Sequence, residues 1–557
     1  MKSSAQTVSV LLLLICITVA GMAQSSRYDL ILRNGLIMDG SGKPAVRGDV
    51  AIRGDRIVAV GDLKGEKAIT DTDISGLAVA PGFINMLSWA DGSLLKDGRS
   101  MSDIKQGVTL EVFGEGWSPG PRKISAKDKR WGTLGEYLSY AEKKGVTPNI
   151  ASFVGATTVR LYVLGSENRA PNASEMTQMK GLVRQAMEEG AMGLGSSLIY
   201  APADYASTDE LIELAKVASA YGGIYITHMR SESDRILPAM TETFRIAREA
   251  RIPAEIYHLK INHPRNWNKI DTVIGRLDSV RRAGLDVTAN MYTYNASSTG
   301  LTARIPTWVQ EGGMAAMRKR LKEPAVRARV LDELRRGIPQ KNSDPRDVLV
   351  LGFHRDSLNG LYRNMRLDEI ARRHGKDADE TMLDLIIADR SAQPIPCIFF
   401  LISEDNVRRM LKLPFVSICS DAFSIADEPG NNNGPTHPRA YGSFSRLLGY
   451  YAREQKIMSM EEAVRRMTSI PAARLGLRDR GSIKPGFAAD IAVFDPETIR
   501  DKATFEDSHA YAEGMVHVFV NGVQVLRNGQ HTGKFPGRAI RGPGYKRSAA
   551  PPSATSR

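Results

Sequence analysis

His228 closes the apolar run GIYITH and His258 closes AEIYH, with an amphipathic segment between the two. If both runs are strands joined by a helix, the strands lie side by side and the two imidazoles stand on neighbouring strand ends. Neutral imidazole is the commonest zinc ligand. Asp421 closes a third apolar run, FVSICSD. A carboxylate in that position serves as a metal ligand, as a general base, as both, or as a plain helix cap. Two imidazoles and a carboxylate converging on one rim are the equipment of metal-assisted hydrolysis.

These side chains meet only if the middle of the chain builds a particular frame. The buried run PGFINMLSWAD is followed by GVTLEVFG, NIASFVG, AMGLGSS, GIYITHM, PAEIYHLKI, LDVTANMY, PCIFFLI and FVSICSD, all strand-like, with amphipathic segments such as TDELIELAKVASAYG and KIDTVIGRLDSVRRAG between most of them. Strand–helix alternation implies parallel βαβ units, and this many of them predict an α/β fold of the (β/α)8 TIM-barrel type over residues 81–475, with its site at the C-terminal strand ends. A stretch of about 307–390 is too long for one connection and is expected to be a helical insertion beside the site. Short strands with Asn-Gly and Gly-Asp turns occupy 24–80 and return over 476–540, so the two chain ends are expected to complete one small β-sandwich. Residues 541–557 read as a disordered tail.

The whole sequence has 557 residues, 42% hydrophobic and 25% charged, with a formal net charge of +13. Its Lys and Arg are dispersed, as in MRKRLKE on a solvated helix, without interleaved aromatics on one element; no nucleic-acid partner is expected. After Lys2 the run VSVLLLLICITVAGMA has the form of a signal peptide covering 1–23, so the protein is expected to be exported, periplasmic or secreted, with no stable membrane insertion after cleavage. Cys397 and Cys419 lie in apolar runs and are expected to be buried thiols.

Longer motifs now bear on the reading. PGFI, DIKQGVT, MGLGSSLIYAPADYASTDEL, YGGIYITHMRSESD, YHLKI, YTYNASSTGL, SDAF, HPRAYGSFSRLLG, MTSIPAARLGL and GSIKPGFAADIAVFD occur in order along nearly the whole chain. The sequence resembles the amidohydrolase superfamily, and within it the N-acyl-D-amino-acid deacylases (D-aminoacylases). That resemblance implies a urease-like β-sandwich on a metal-dependent barrel. It implies that His228 and His258 hold the tightly bound metal, that Asp421 binds metal and acts as general base and acid, and that Arg439 of HPR holds the substrate carboxylate. It also implies that Lys260, Tyr200, Tyr292 and Ser298 line the substrate site.

The chain departs from the family pattern at the first two barrel strands. Where the family has Asp-x-His-x-His, this chain has Asn85, Leu87 and Trp89; where it has Gly-Asn-Cys-Gly, this chain has GEGWS, with Gly116 in place of the cysteine. Glu115 is the side chain at hand to replace that ligand. The expected site is therefore Glu115, His228 and His258 around one zinc per chain, with Leu87 and Trp89 forming a wall. The expected function is hydrolysis of the amide bond of a small N-acyl-D-amino acid. A D-specific dipeptidase or cyclic-amide hydrolase on the same fold, and a non-catalytic carboxylate binder, remain as alternatives. Glu232 and Asp234 of RSESD, which would serve a free amine, read as solvated loop carboxylates.

Overall fold

The structure is a computed structural model that describes residues 27–126, 128–337, 343–427 and 434–546. The expected leader falls outside the described residues. The barrel is built from parallel strands whose apolar runs are buried on both faces. They are β1 (Phe83–Asn85), β2 (Val108–Phe113), β3 (Asn149–Ser152, continued by Val154–Gly155), β4 (Gly193–Ser197), β5 (Ile224–His228), β6 (Ala254–Ile256), β7 (Val287–Met291) and β8 (Val416–Ile418). Parallel pairing runs from β1 through β3 and from the continuation of β3 through β8. The ring closes between β8 and β1: Asp421 N–H donates to the Leu87 carbonyl and Trp89 N–H to the Ala422 carbonyl, each at 2.9 Å.

Helices follow the strands, and several of them begin at side chains that satisfy their free N–H groups. Thr133 with Glu136, and Asn172 with Glu175, form capping boxes for Leu134–Lys144 and Ala173–Glu188. Ser207 caps Thr208–Ala220, the helix that delivers the chain to β5. No helix among the described residues is long and apolar enough to cross a membrane.

Both chain ends enter a single sheet of nine strands among the described residues. Val79 of Ala78–Pro81 lies opposite Val493 of Ile491–Phe494, so an N-terminal strand is paired antiparallel with a C-terminal one. Leu32, Val50, Ile57, Ile491 and Phe519 share one apolar cluster there. Beyond residue 540 the chain stays attached as far as Lys546: Gly542 N–H donates to Gly190 O, and Lys546 pairs with Glu188. The expected free tail therefore does not begin at 541, and residues 547–557 lie outside the described set.

The insertion differs from expectation in kind and in extent. The run PCIFFLI does not join the barrel. Its strand Pro396–Phe399 pairs antiparallel with Ser297–Gly300 and with Val348–Val350, in a four-stranded sheet that carries helices and a separate apolar core including Leu301, Val330, Ile386 and Phe399. An apolar run of this length does not itself choose between a parallel barrel partner and an antiparallel hairpin partner. Cys397 lies in this unit and Cys419 follows β8; both are buried and free.

Inside the barrel, Glu111 of β2 is fully buried. Ser88 Oγ and Ser100 Oγ donate to its two oxygens at 2.7 and 2.5 Å. Burial pushes the Glu111 carboxyl up to about 7, and burial followed by the nearness of Glu111 pushes Asp103 well up. In the unfolded chain a glutamate ionises near 4.5. The folded state thus holds a proton that the unfolded state releases, and this contribution is full below about pH 4.5 and lost as pH rises towards 7. Urea unfolding from pH 5 to 8 should show the wild type losing up to about 3 kcal/mol relative to Glu111→Gln, with parity at the acid end.

Candidate active site

After β2 the chain passes through Gly114, Glu115 and Gly116. The two glycines have φ of +107° and +75°, a backbone that disfavours other residues. The resulting turn buries Glu115. Its Oε1 lies 2.8 Å from Nδ1 of His228 and 2.8 Å from Nε2 of His258. His228 is the last residue of β5. His258 lies two residues past β6 in the left-handed region, φ +34°, with its N–H donating to Asn290 Oδ1 at 2.8 Å. A histidine in that conformation is strained and is held by such contacts. The two imidazoles meet edge to face, with centroids 4.4 Å apart.

Each ring turns its other nitrogen to one further carboxylate. Glu232 Oε1 is 3.0 Å from His258 Nδ1, and Oε2 is 3.4 Å from His228 Nε2. Lys260 Nζ donates to Glu232 Oε1 at 2.5 Å and lies 2.8 Å from His258 Nδ1. Glu232 is buried, not a solvated loop carboxylate; of the pair in RSESD only Asp234 lies at the periphery, bridged to Arg265. The polar composition of RSESD hid this role. The one signal was the placement of Glu232 four residues beyond His228, within reach of its ring.

Burial alone would raise the Glu115 carboxyl, but His258 and His228 hold it down to about 2. Burial acts in the same sense on Glu232, which His228, Lys260 and His258 hold well below the usual range. For His258, burial and Lys260 act downward, and the carboxylates Glu232 and Glu115 outweigh them, giving about 9. The cluster thus places positive charge between two carboxylates. One ligand atom each from Glu115, His228 and His258 lies within 4.8 Å of the others. A divalent cation fits this set: it would take a lone pair from each ring together with the Glu115 oxygen, with the Glu232 carboxylate facing the outer side of both rings.

Asp421 stands apart from this group. It has φ +50°, its Oδ2 is 2.7 Å from Arg439 Nη1, and its Oδ1 accepts from the Trp89 indole N–H at 3.1 Å. Asp421, expected also to ligate the metal, lies outside the grouped ligand atoms of Glu115, His228 and His258, and its carboxylate is paired with a guanidinium and an indole. Arg439 is buried over the Tyr292 ring, 4.7 Å from its centroid, and its Nη2 donates to Ser298 O at 3.3 Å. His437, not singled out from the sequence, accepts the Arg439 N–H at Nδ1 (3.0 Å) and faces Ala296 O through Nε2 (2.9 Å). Burial and then Arg439 keep it well below the usual imidazole range, so it is neutral and anchors the backbone of Arg439.

The remaining predicted residues are brought to the same rim in unequal ways. Tyr200 packs edge-on against His228 with its hydroxyl 2.9 Å from Thr299 Oγ1. The buried Tyr292 hydroxyl has no hydrogen-bond partner among the described residues. The Ser298 hydroxyl turns away to Cys397 O at 3.0 Å, leaving its carbonyl on the Arg439 side. Leu87 is fully buried in the barrel core and Trp89 half-buried. A Cβ on Gly116 would meet Ser197 Cβ at 2.7 Å, so a cysteine at 116 has no room. Among the described residues, no second group of three ligating side chains forms.

Comparison with known proteins places this arrangement. The model of the amidohydrolase family matches residues 72–526. The chain is 34% identical over 530 residues to the D-aminoacylase of Alcaligenes xylosoxydans xylosoxydans, covering 93% of this chain and 98% of that protein. It superimposes with a TM-score of 0.77 on an N-acyl-D-glutamate deacylase from Bordetella bronchiseptica, solved with zinc and a phosphonate mimic of the tetrahedral intermediate, at 29% identity and covering 92% and 99% of the two chains. A D-aminoacylase structure with a binuclear metal centre, described in terms of one-metal activation and second-metal attenuation, superimposes equally well (TM-score 0.77, 32% identity, 92% and 100% coverage). With its family model spanning most of the chain and a full-length relative at this identity, the protein belongs to the amidohydrolase family, on its D-aminoacylase branch.

Proposed function

We propose that this protein hydrolyses the amide bond of N-acyl-D-amino acids with one zinc ion per chain held by Glu115, His228 and His258. The observation that carries the reading is the convergence of that donor set with Asp421 and Arg439 at the strand ends of one barrel. The relatives supply the substrate class: D-aminoacylase and N-acyl-D-glutamate and N-acyl-D-aspartate deacylases are all matched over more than nine-tenths of this chain. The leader-like N-terminus supports an exported, periplasmic or secreted enzyme.

The zinc would supply Lewis acidity towards the scissile carbonyl and lower the pKa of water at neutral pH. The chain's residues do the rest. Arg439 presents a planar fork to the substrate's α-carboxylate, which fixes the acyl nitrogen relative to Asp421. Asp421 takes the proton of the attacking water and returns it to the leaving amine nitrogen. The Tyr292 hydroxyl, buried and without a partner, is a donor available to the substrate. Glu232 faces the outer nitrogens of both histidines, 3.0 Å from His258 Nδ1 and 3.4 Å from His228 Nε2, and balances the charge of the ligand cluster from its outer side. Lys260 neutralises Glu232 and so serves as a support of the metal centre.

These outcomes are expected. Purified protein dialysed against metal-free buffer should retain one zinc per chain by elemental analysis; a stable content of two contradicts the donor count. Arg439→Ala should raise KM for N-acetyl-D-amino acids by roughly two orders of magnitude, about 3 kcal/mol for a buried charge-assisted contact. The same variant should leave KM for carboxyl-amidated substrates unchanged, and a D/L panel on the wild type should show turnover of the D series. Glu232→Gln should weaken zinc binding about 10- to 100-fold in competition with a chromophoric chelator, with the far-UV circular dichroism unchanged.

A further inference from the structure

Trp89 occupies a position where the family carries a metal-binding histidine, yet its indole is not idle packing. Its N–H donates to Asp421 Oδ1 at 3.1 Å. The backbone around this contact is rigidly registered: Trp89 N–H donates to Ala422 O and Asp421 N–H to Leu87 O, each at 2.9 Å. Beneath it, Asn85 Nδ2 donates to Ser420 Oγ at 2.8 Å and Asn85 Oδ1 accepts from Ser420 N–H at 2.9 Å. The closing seam of the barrel therefore holds donor and acceptor at a fixed separation.

The other oxygen of Asp421 faces Arg439 at 2.7 Å. That guanidinium is the group assigned to the substrate carboxylate, and a bound carboxylate competes for the same N–H groups. The indole has no such second task. It is neutral, attached to the barrel wall and directed at Oδ1, so it holds the carboxylate in place when a substrate carboxylate draws Arg439 away from Oδ2 and leaves that oxygen to take and return a proton.

We propose that Trp89 is the positioning residue of Asp421, orienting through its indole N–H the carboxylate that a second metal ion would otherwise orient. This rests on the function proposed above, because only there does Asp421 move a proton. A general base misplaced by about 1 Å loses on the order of a hundred-fold in rate. One fixed neutral donor is thus sufficient to explain how a centre with Leu87 and Trp89 in place of two ligands keeps its base aligned.

Trp89→Phe keeps an aromatic ring at the site and deletes the N–H. It should lower kcat about ten- to a hundred-fold while KM for an N-acetyl-D-amino acid and zinc content stay within two-fold of wild type; a loss of packing alone would move KM or zinc as well. A second readout does not depend on turnover. The chain has five tryptophans. In protein labelled with 15N at the indole, the resonance lost in Trp89→Phe should move upfield in Asp421→Ala, and the other four should stay in place. Absence of hydrolysis by the wild type across the D/L panel overturns the proposed function. An indole resonance that ignores Asp421→Ala, or Trp89→Phe at wild-type kcat, overturns this inference alone.

Discussion

A single carboxylate oxygen, Oε1 of Glu115, faces two imidazole nitrogens at 2.8 Å each, and the rest of the site is arranged around that contact. A carboxylate buried in a barrel costs several kcal/mol unless positive charge and hydrogen bonds meet it. Meeting it here requires β5 and β6 to end beside each other, Asn290 on β7 to hold the backbone of His258, and two glycines to turn the chain after β2. Those requirements couple four strands. Glu232 and Lys260 then balance the outer sides of the rings, so positive and negative groups alternate from Glu115 outward and none of the buried charges stands alone.

The same economy governs the first barrel strand. Leu87 and Trp89 are unable to ligate metal, and Gly116 has no space for a thiol against Ser197. The barrel does not leave that side open. Leu87 fills core volume, and the Trp89 indole reaches the carboxylate of Asp421. That hydrogen bond is held in register by the backbone bonds of the seam between β8 and β1.

Much of this was legible beforehand because parallel barrel strands are short, apolar and regularly spaced. GIYITH, AEIYH and FVSICSD end where their patterns break, so His228, His258 and Asp421 were placed on one rim from sequence alone. Their relation to each other was not. PCIFFLI carries the same apolar signature as a barrel strand, yet its partners Ser297–Gly300 and Val348–Val350 draw it into the insertion sheet. Glu232 was missed for the opposite reason: its neighbours Ser231, Ser233 and Asp234 have the composition of an exposed loop, while the fold buries it between two rings and an ammonium. Burial is decided by which elements pack over a segment, and local composition reports that only indirectly.

Sequence by itself determined the identity of the groups: which strand ends carry imidazole, which carry carboxylate, and that the first strand has none of the expected ligands. These are properties of single positions and of period-two or helical spacing, which the chain carries with it before it folds. Tertiary structure decided the pairings. It gave Arg439 and Trp89 to Asp421 and enclosed Glu232 with Lys260 beside the two histidines. Pairing energies fall off within a few ångströms and depend on how completely water is excluded, and both quantities come into existence only when strands distant in sequence close into one barrel.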